Sequence, residues 1–227
     1  RLRAAIGDDS YLVVEKILAA DEALEPTLPV AGSTGYDVLR EVGGVFVDPA
    51  GRETLTELAA ASGFSGDSAV VGELKTGAAT VTLSSELARL HRAVVAAAGS
   101  DHALLPDAIV ALLTHIEVYR CDYRGLSVTM STALAATARP ELAPALTLLA
   151  VALEHPEPAA RLQQLCGAVT AKAVEDCLFY RDPTLVALNE VGGDPDRFGV
   201  GAAEFHHSAA VRARLWPSAM TTLSTHD

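Results

Sequence analysis

This 227-residue chain is poor in aromatic side chains, cysteine and positive charge, and each shortage excludes something. Its three cysteines, Cys121, Cys166 and Cys177, form no CxxC pair, and their odd number argues against a disulfide framework. With 17 basic against 29 acidic residues the net charge is −12, so the chain repels phosphate backbones and nucleic acid is excluded as a partner. Aromatic residues make up only 5%, against an abundance of Ala, Leu and Val that leans helical. No long hydrophobic run exists. The longest, from Leu142 to Leu153, is interrupted by Pro144 and falls short of the roughly 20 residues that span a bilayer. The first residues show no charged-then-apolar export pattern. A reduced, cytoplasmic compartment without membrane attachment is expected. What the chain does have is 50% hydrophobic residues, enough to offset the entropy of ordering and to build a sizeable core.

Residues 1 to 48 read as the end of a helix, a strand, a loop and a second strand. Leu2 to Ile6 closes the helix, and Gly7-Asp8-Asp9-Ser10 is a loop. Tyr11 to Leu18 is a nearly continuous apolar run of the kind found in strands buried on both faces. Asp21 to Pro29 is polar, and Ala31 to Tyr36 is a cluster of small turn residues. Residues 49 to 164 change character: Ala-rich stretches with apolar spacing near 3.6 run over Arg52 to Ala61, Ser85 to Ala98, Asp107 to His115 and Pro140 to Leu153. Ser84 or Ser85 and Pro106-Asp107 suit helix starts. From 165 to 227 short runs and loops return, with a helix expected over Ala202 to Leu215 and a strand-like run closing the chain. Strand, helical block, strand, helix and strand point to part of an α/β fold with parallel strands.

Three groups of residues are candidates for chemistry. Glu15 stands where an apolar side chain belongs. If it is buried unpaired, desolvation favours its protonated form, which suits a general acid; pairing with an Arg or exposure to solvent is the bland alternative. His226-Asp227 puts an imidazole beside a carboxylate at the end of the last run, a common place for a barrel site or else a solvated turn. Lys172, Glu175 and Asp176, followed by Tyr180 and Arg181, have spacings that suit a helical ion pair, or a row of hydrogen-bonding groups facing a sugar. His206-His207 forms no metal motif, since neighbouring residues on a helix face different ways. Gly192-Gly193 and Gly199-Val200-Gly201 do not form a dinucleotide fingerprint, and no phosphate-binding loop or serine elbow is present.

Taken together, these segments resemble the malto-oligosyltrehalose synthases of the α-amylase superfamily, glycoside hydrolase family 13. The resemblance begins at Val13-Val14-Glu15-Lys16-Ile17-Leu18 and Val30-Ala31-Gly32-Ser33-Thr34-Gly35-Tyr36-Asp37. It passes through Val45-Phe46-Val47-Asp48-Pro49 and Val118-Tyr119-Arg120. It is strongest over Ala171 to Asp176, Phe179-Tyr180-Arg181 and Leu188 to Pro195, and ends at Ser224-Thr225-His226-Asp227.

The resemblance implies an α/β fold, a partial (β/α)8 barrel covering the region of strands five to seven, with a mostly helical insertion over residues 49–164. It implies that Glu15 ends the fifth strand as general acid/base and that Asp227 ends the seventh as transition-state stabiliser. His226, Lys172, Glu175, Tyr36 and Tyr180 become sugar contacts, with Lys172 and Glu175 in the sixth-strand region. The implied substrate is a maltodextrin, and no metal or organic cofactor is required. The family's nucleophilic aspartate ends the fourth strand, and nothing before Tyr11 resembles its motif. A chain starting at Arg1 and stopping at Asp227 is therefore expected to be an internal piece of a longer enzyme, inactive by itself. A related α-glucan hydrolase or transglycosylase, or a non-catalytic fragment, stays open as the alternative.

Overall fold

The Ala-rich stretches fold as helices because their apolar residues recur three and four apart and line one face. The structure is a computed structural model that describes residues 2–64, 68–122 and 127–225. It is mostly helical, with one parallel sheet of two short strands. In chain order the elements begin with α1 (Leu2–Ile6), β1 (Val13–Val14), β2 (Gly32–Ser33), α2 (Tyr36–Val45) and α3 (Arg52–Ala61). They continue with α4 (Ser68–Gly77), α5 (Ser84–Ala98), α6 (Leu105–Thr114), α7 (Ser127–Thr137), α8 (Ala143–Ala152), α9 (Pro156–Thr170) and α10 (Ala202–Leu215). The chain forms two units: one from the residues up to Phe64 together with those from Asp182 on, the other from the residues between.

The second unit is all helical among its described residues. In it α5 packs on α8 and α9, and α4 packs on α6. α6 buries six of its ten residues, Leu105, Ala108, Ile109, Val110, Leu112 and Leu113. Around Ala108 a cluster forms with Leu142, Ala145 and Leu146. α5 is amphipathic and buries Leu90 and Val94, four apart, before ending at Gly99 in the left-handed region at φ 71°. α9 continues directly into a wider π-helical segment, Ala171–Leu178, which packs against α4. Lys75 of α4 is buried and donates to the Ile116 carbonyl oxygen at 2.5 Å. Burial pushes its ammonium below the ordinary lysine range, against the opposing pull of Cys166 and Glu117.

The first unit holds the sheet. β1 and β2 run parallel in the register Val13 with Gly32 and Val14 with Ser33. A third extended stretch lies against β2, where Met220 N–H donates to the Ser33 carbonyl at 3.1 Å and Thr222 Oγ1 to that of Thr34 at 2.8 Å. Gly32 is required for this approach, since a Cβ there would fall 2.4 Å from the Ala219 Cβ. The unit's buried apolar residues include Leu18, Leu24, Val38 of α2, Leu188, Val191, Phe198 and Val200.

Several expected strands are corrected. Of Tyr11 to Leu18 only Val13–Val14 is laddered. The second strand is the short Gly32–Ser33 inside the small-residue cluster, and Tyr36–Val45 after it is a helix. Lys172 and Glu175 do not lie on a strand: the stretch is helical, and Lys172 pairs with Asp176 one turn on, as spacing of four allows. Val186–Leu188 is a single 3-10 turn, and residues 220–225 are extended without forming a strand. Arg52–Ala61 and Ala202–Leu215 are helices with the expected bounds. No disulfide joins Cys121, Cys166 and Cys177. Among the described residues no helix is long and apolar enough to cross a membrane.

Leu149 on α8 is fully buried while Val151, two residues on, is 51% exposed. Leu149→Ala should lower the unfolding free energy of the chain by about 2–5 kcal/mol in urea titrations. Val151→Ala should change it by less than about 0.5 kcal/mol. Equal effects would contradict the orientation of α8.

Candidate active site

The first unit brings Glu15 and Tyr36 together. Glu15 directly follows β1, and Tyr36 is the first residue of α2, three positions after β2. The parallel register therefore sets both at the same end of the sheet. Tyr36 Oη donates to Glu15 Oε1 across 3.3 Å. Glu15 is exposed, not buried as a position in an apolar strand would suggest. Its neighbour Lys16 takes the buried position instead, with Nζ 2.6 Å from Glu22 and 2.8 Å from the Ile17 carbonyl oxygen it donates to. The strand is short enough that the alternation of side chains turns Lys16 inward and Glu15 outward.

Tyr36 is held by two glycines. Gly35, immediately before α2, adopts φ 91°, and a Cβ on it would fall 2.4 Å from the Met220 carbonyl oxygen. Gly192 adopts φ 77°, and its Cβ would fall 2.9 Å from the Tyr36 Cβ. Both conformations disfavour L side chains. One turn along α2, Arg40 Nη1 donates to the carbonyls of Leu18 at 2.8 Å and Gly192 at 2.9 Å. Burial pushes the Arg40 guanidinium below its ordinary range; Asp37, Glu41 and Asp194 oppose this and Arg197 adds to it. The acids flanking Arg40 on α2 are themselves paired: Arg212 of α10 meets Glu41 at 2.5 Å and Asp37 at 3.4 Å, and Ser208 donates to Glu41.

His226 and Asp227 lie outside the described residues. The residue before them, Thr225, donates through Oγ1 to Glu190. Glu190 also lines a cleft of about 180 Å3 with Leu39, Arg40, Leu188, Gly193 and Asp194. A larger depression of about 550 Å3 along α3, lined by Pro49, Arg52, Glu53 and Glu57, holds none of the candidate residues.

Lys172, Glu175 and Tyr180 belong to the second unit. Glu175 is buried and accepts from the Tyr119 hydroxyl at 2.5 Å. Lys172 is exposed, and its contact with Asp176 raises its pKa above the ordinary lysine value. Tyr180 is exposed. His206 and His207 are both exposed on α10. Among the described residues no three His, Cys, Asp or Glu side chains group as a metal site. Arg40, Glu190 and Gly35 were not singled out from the residue pattern. Nothing in local spacing marks a residue whose partners are carbonyls 22 and 152 positions away.

No family model matches the chain. Over its whole length it is 63% identical to proteins of Mycobacterium tuberculosis, strains H37Rv and CDC 1551, that carry the name maltooligosyl trehalose synthase. It spans 30% of the length of these curated relatives. Its structure matches, with all of the chain covered, 30% of the maltooligosyltrehalose synthase of Arthrobacter ramosus at 40% identity and a TM-score of 0.88. A further maltooligosyl trehalose synthase crystal structure matches over 28% of its length at 28% identity and a TM-score of 0.74. Along its whole length the chain is thus similar to one part of the maltooligosyl trehalose synthases.

Replacing Arg40 by Ala leaves two carbonyls without their charged donor. The chain should lose about 3 kcal/mol of unfolding free energy in denaturant titrations, since hydrogen bonds to charged groups contribute about 1.5–3 kcal/mol each and are not fully additive. An unchanged midpoint would show that the Arg40 bridge is dispensable.

Proposed function

We propose that this chain is part of an intramolecular transglycosylase that converts the reducing-end α-1,4 bond of a maltodextrin into an α,α-1,1 bond, forming maltooligosyl trehalose. The observation that carries this reading is the 63% identity over the whole chain.

In this reading residues 1–48 and 165–227 are portions of a (β/α)8 barrel in the region of strands five to seven and residues 49–164 are an insertion, a division that runs near, but not along, the boundaries of the two-segment first unit. The two-segment make-up of that unit, with an all-helical unit between its parts, favours this over a tandem arrangement. Glu15 is the general acid/base. Its exposure at the end of β1 leaves it accessible to a sugar. Asp227 is the transition-state stabiliser, and His226 and Tyr36 hydrogen-bond sugar hydroxyls. Lys172, Glu175 and Tyr180 complete the proposed sugar contacts. The nucleophilic aspartate is supplied by a part of the enzyme outside this chain.

The proposed reaction retains anomeric configuration through two displacements. Glu15 gives its proton to the oxygen of the last α-1,4 bond as the aspartate attacks the anomeric carbon, breaking that bond and forming a glycosyl-enzyme. Asp227 supports the positive charge that develops on the ring. The released glucose turns, and its own anomeric hydroxyl attacks the glycosyl carbon. Glu15, now a carboxylate, takes the proton from that hydroxyl, which restores the starting enzyme. Exclusion of water separates this outcome from hydrolysis. The chemistry calls on carboxylates and hydroxyls alone, and the cytoplasm is the compartment in this reading.

In the full-length enzyme, Glu15→Gln should reduce turnover by about 10²–10⁴-fold while maltodextrin binding is largely kept. Wild-type turnover would overturn the assignment. The 227-residue chain by itself should leave maltopentaose unchanged, and loss of reducing ends on incubation with it would refute the incomplete site.

A further inference from the structure

We propose that Tyr36 acts as a positioning residue for Glu15, holding the carboxyl through its Oε1 so that Oε2 faces the glycosidic oxygen. This rests on the reading of Glu15 as the general acid/base and adds to it a role for Tyr36 beyond contact with the sugar.

An exposed glutamate has several rotamers of similar energy, and fixing a side chain of this type costs up to about 2 kcal/mol. A catalytic carboxyl, by contrast, must meet one oxygen of the substrate in one geometry. Something rigid has to supply the difference. Tyr36 is the hydroxyl the structure offers, 3.3 Å from Oε1. That distance is long for an O–H···O bond, and such contacts are commonly loose before substrate binds.

The donor is fixed where the acceptor is not. Tyr36 is half-buried as the first residue of α2. Its Cβ packs against the bare backbone of Gly192, close enough that an added methyl there would lie 2.9 Å away. Arg40, on the same helix, grips the Gly192 carbonyl at 2.9 Å and the Leu18 carbonyl, three residues after Glu15, at 2.8 Å. The distance between the tyrosine and the strand that carries Glu15 is thereby set by the backbone of three segments. A tyrosine hydroxyl donates one proton, so it can serve Oε1 both when Glu15 is a carboxyl and when it is a carboxylate. In the acid form the donated bond leaves the Glu15 proton on Oε2. In the base form it stabilises the charge left after the proton has gone, and Oε2 is free to accept the next one.

The test uses the full-length enzyme acting on maltopentaose. Tyr36→Phe keeps the ring and its packing and removes only the hydroxyl; an unchanged Tm checks this. It should lower kcat about five- to tenfold, the worth of a single hydrogen bond, with KM unchanged within about twofold. In the Glu15→Gln background the same change should slow the residual turnover no further, because Tyr36 acts through Glu15. Gly192→Ala, which forces Tyr36 aside, should reproduce the kcat loss and add nothing to Tyr36→Phe. A raised KM with unchanged kcat would make Tyr36 a sugar contact only and overturn the proposal. So would equal fold-losses with and without the Glu15 carboxyl. Wild-type turnover of Glu15→Gln would instead remove the acid/base reading, and the proposal with it, whereas an inactive Glu15→Gln beside a wild-type Tyr36→Phe defeats the positioning role alone.

Discussion

The Arg40 guanidinium, shared between the carbonyls of Leu18 and Gly192, is the interaction on which the first unit's site depends. The three segments it joins are α2, the stretch that follows β1 and the Gly192 turn, and the last is separated from the other two by the whole second unit. Two-residue strands contribute few ladder bonds, and a pair of them alone is marginal in water. What fixes the end of β1 is therefore less the ladder than a side chain reaching across from a helix. Burying the guanidinium is costly, and the acids around it, Asp37, Glu41 and Asp194, offset part of that cost. Asp37 and Glu41 are in turn held by Arg212 of α10. One charge network thus ties α2 to the end of β1, the Gly192 turn and α10.

That network explains how the site tolerates glycine where one would expect rigidity to suffer. Gly35 and Gly192 flank Tyr36 at positive φ, and each is in contact with backbone or Cβ atoms that leave no room for a side chain. Glycine costs conformational entropy on folding, but here it permits a helix to begin, and a second loop to pass, within a methyl group's width of the same residue. Gly44 repeats the device lower on α2, where its Cβ would meet Val200 at 2.4 Å and its carbonyl accepts from Val200 N–H. Close backbone approach replaces the large apolar contacts that a chain with 5% aromatic residues cannot supply.

Two helices, Arg52–Ala61 and Ala202–Leu215, have the bounds that the residue pattern implies, whereas the strongly amphipathic Tyr36–Val45 is hidden by its glycines and by the strand expected in its place. The short strands are not legible in that pattern, because two laddered residues carry no period: of the apolar run Tyr11 to Leu18 only Val13–Val14 is laddered, and only Lys16 and Leu18 are buried. The charge spacing of Lys172 and Asp176 was sufficient to mark a helix, and the strand that the family resemblance implied there gave way to it. Glu15 was identified from its oddity within the apolar run, yet for a reason that fails, since Lys16 is the buried charge and Glu15 the exposed one. Its pairing with Tyr36 depends on the register of β1 with β2, and a separation of 21 positions hides that from any local reading. Arg40 is invisible in the same way, as its partners are backbone atoms and carry no residue type.

Exposure of Glu15 also bears on what separates isomerisation from hydrolysis. The first displacement of the proposed reaction needs the Glu15 proton delivered to one particular oxygen, so it calls for orientation of that carboxyl. The second displacement differs, because water at its bulk concentration competes with one glucose for the glycosyl carbon. Holding the released glucose in contact gives it an effective concentration that water cannot match only if the pocket is closed. Nothing about Glu15 or Tyr36 closes it, as the hydrogen bond between them is itself exposed. On the proposed reading the two halves of the reaction are therefore governed by different parts of the enzyme. The acid/base and its orientation come from the β1 and α2 ends described above. The product ratio is set by whatever covers them, and the chain spans only 30% of its curated relatives.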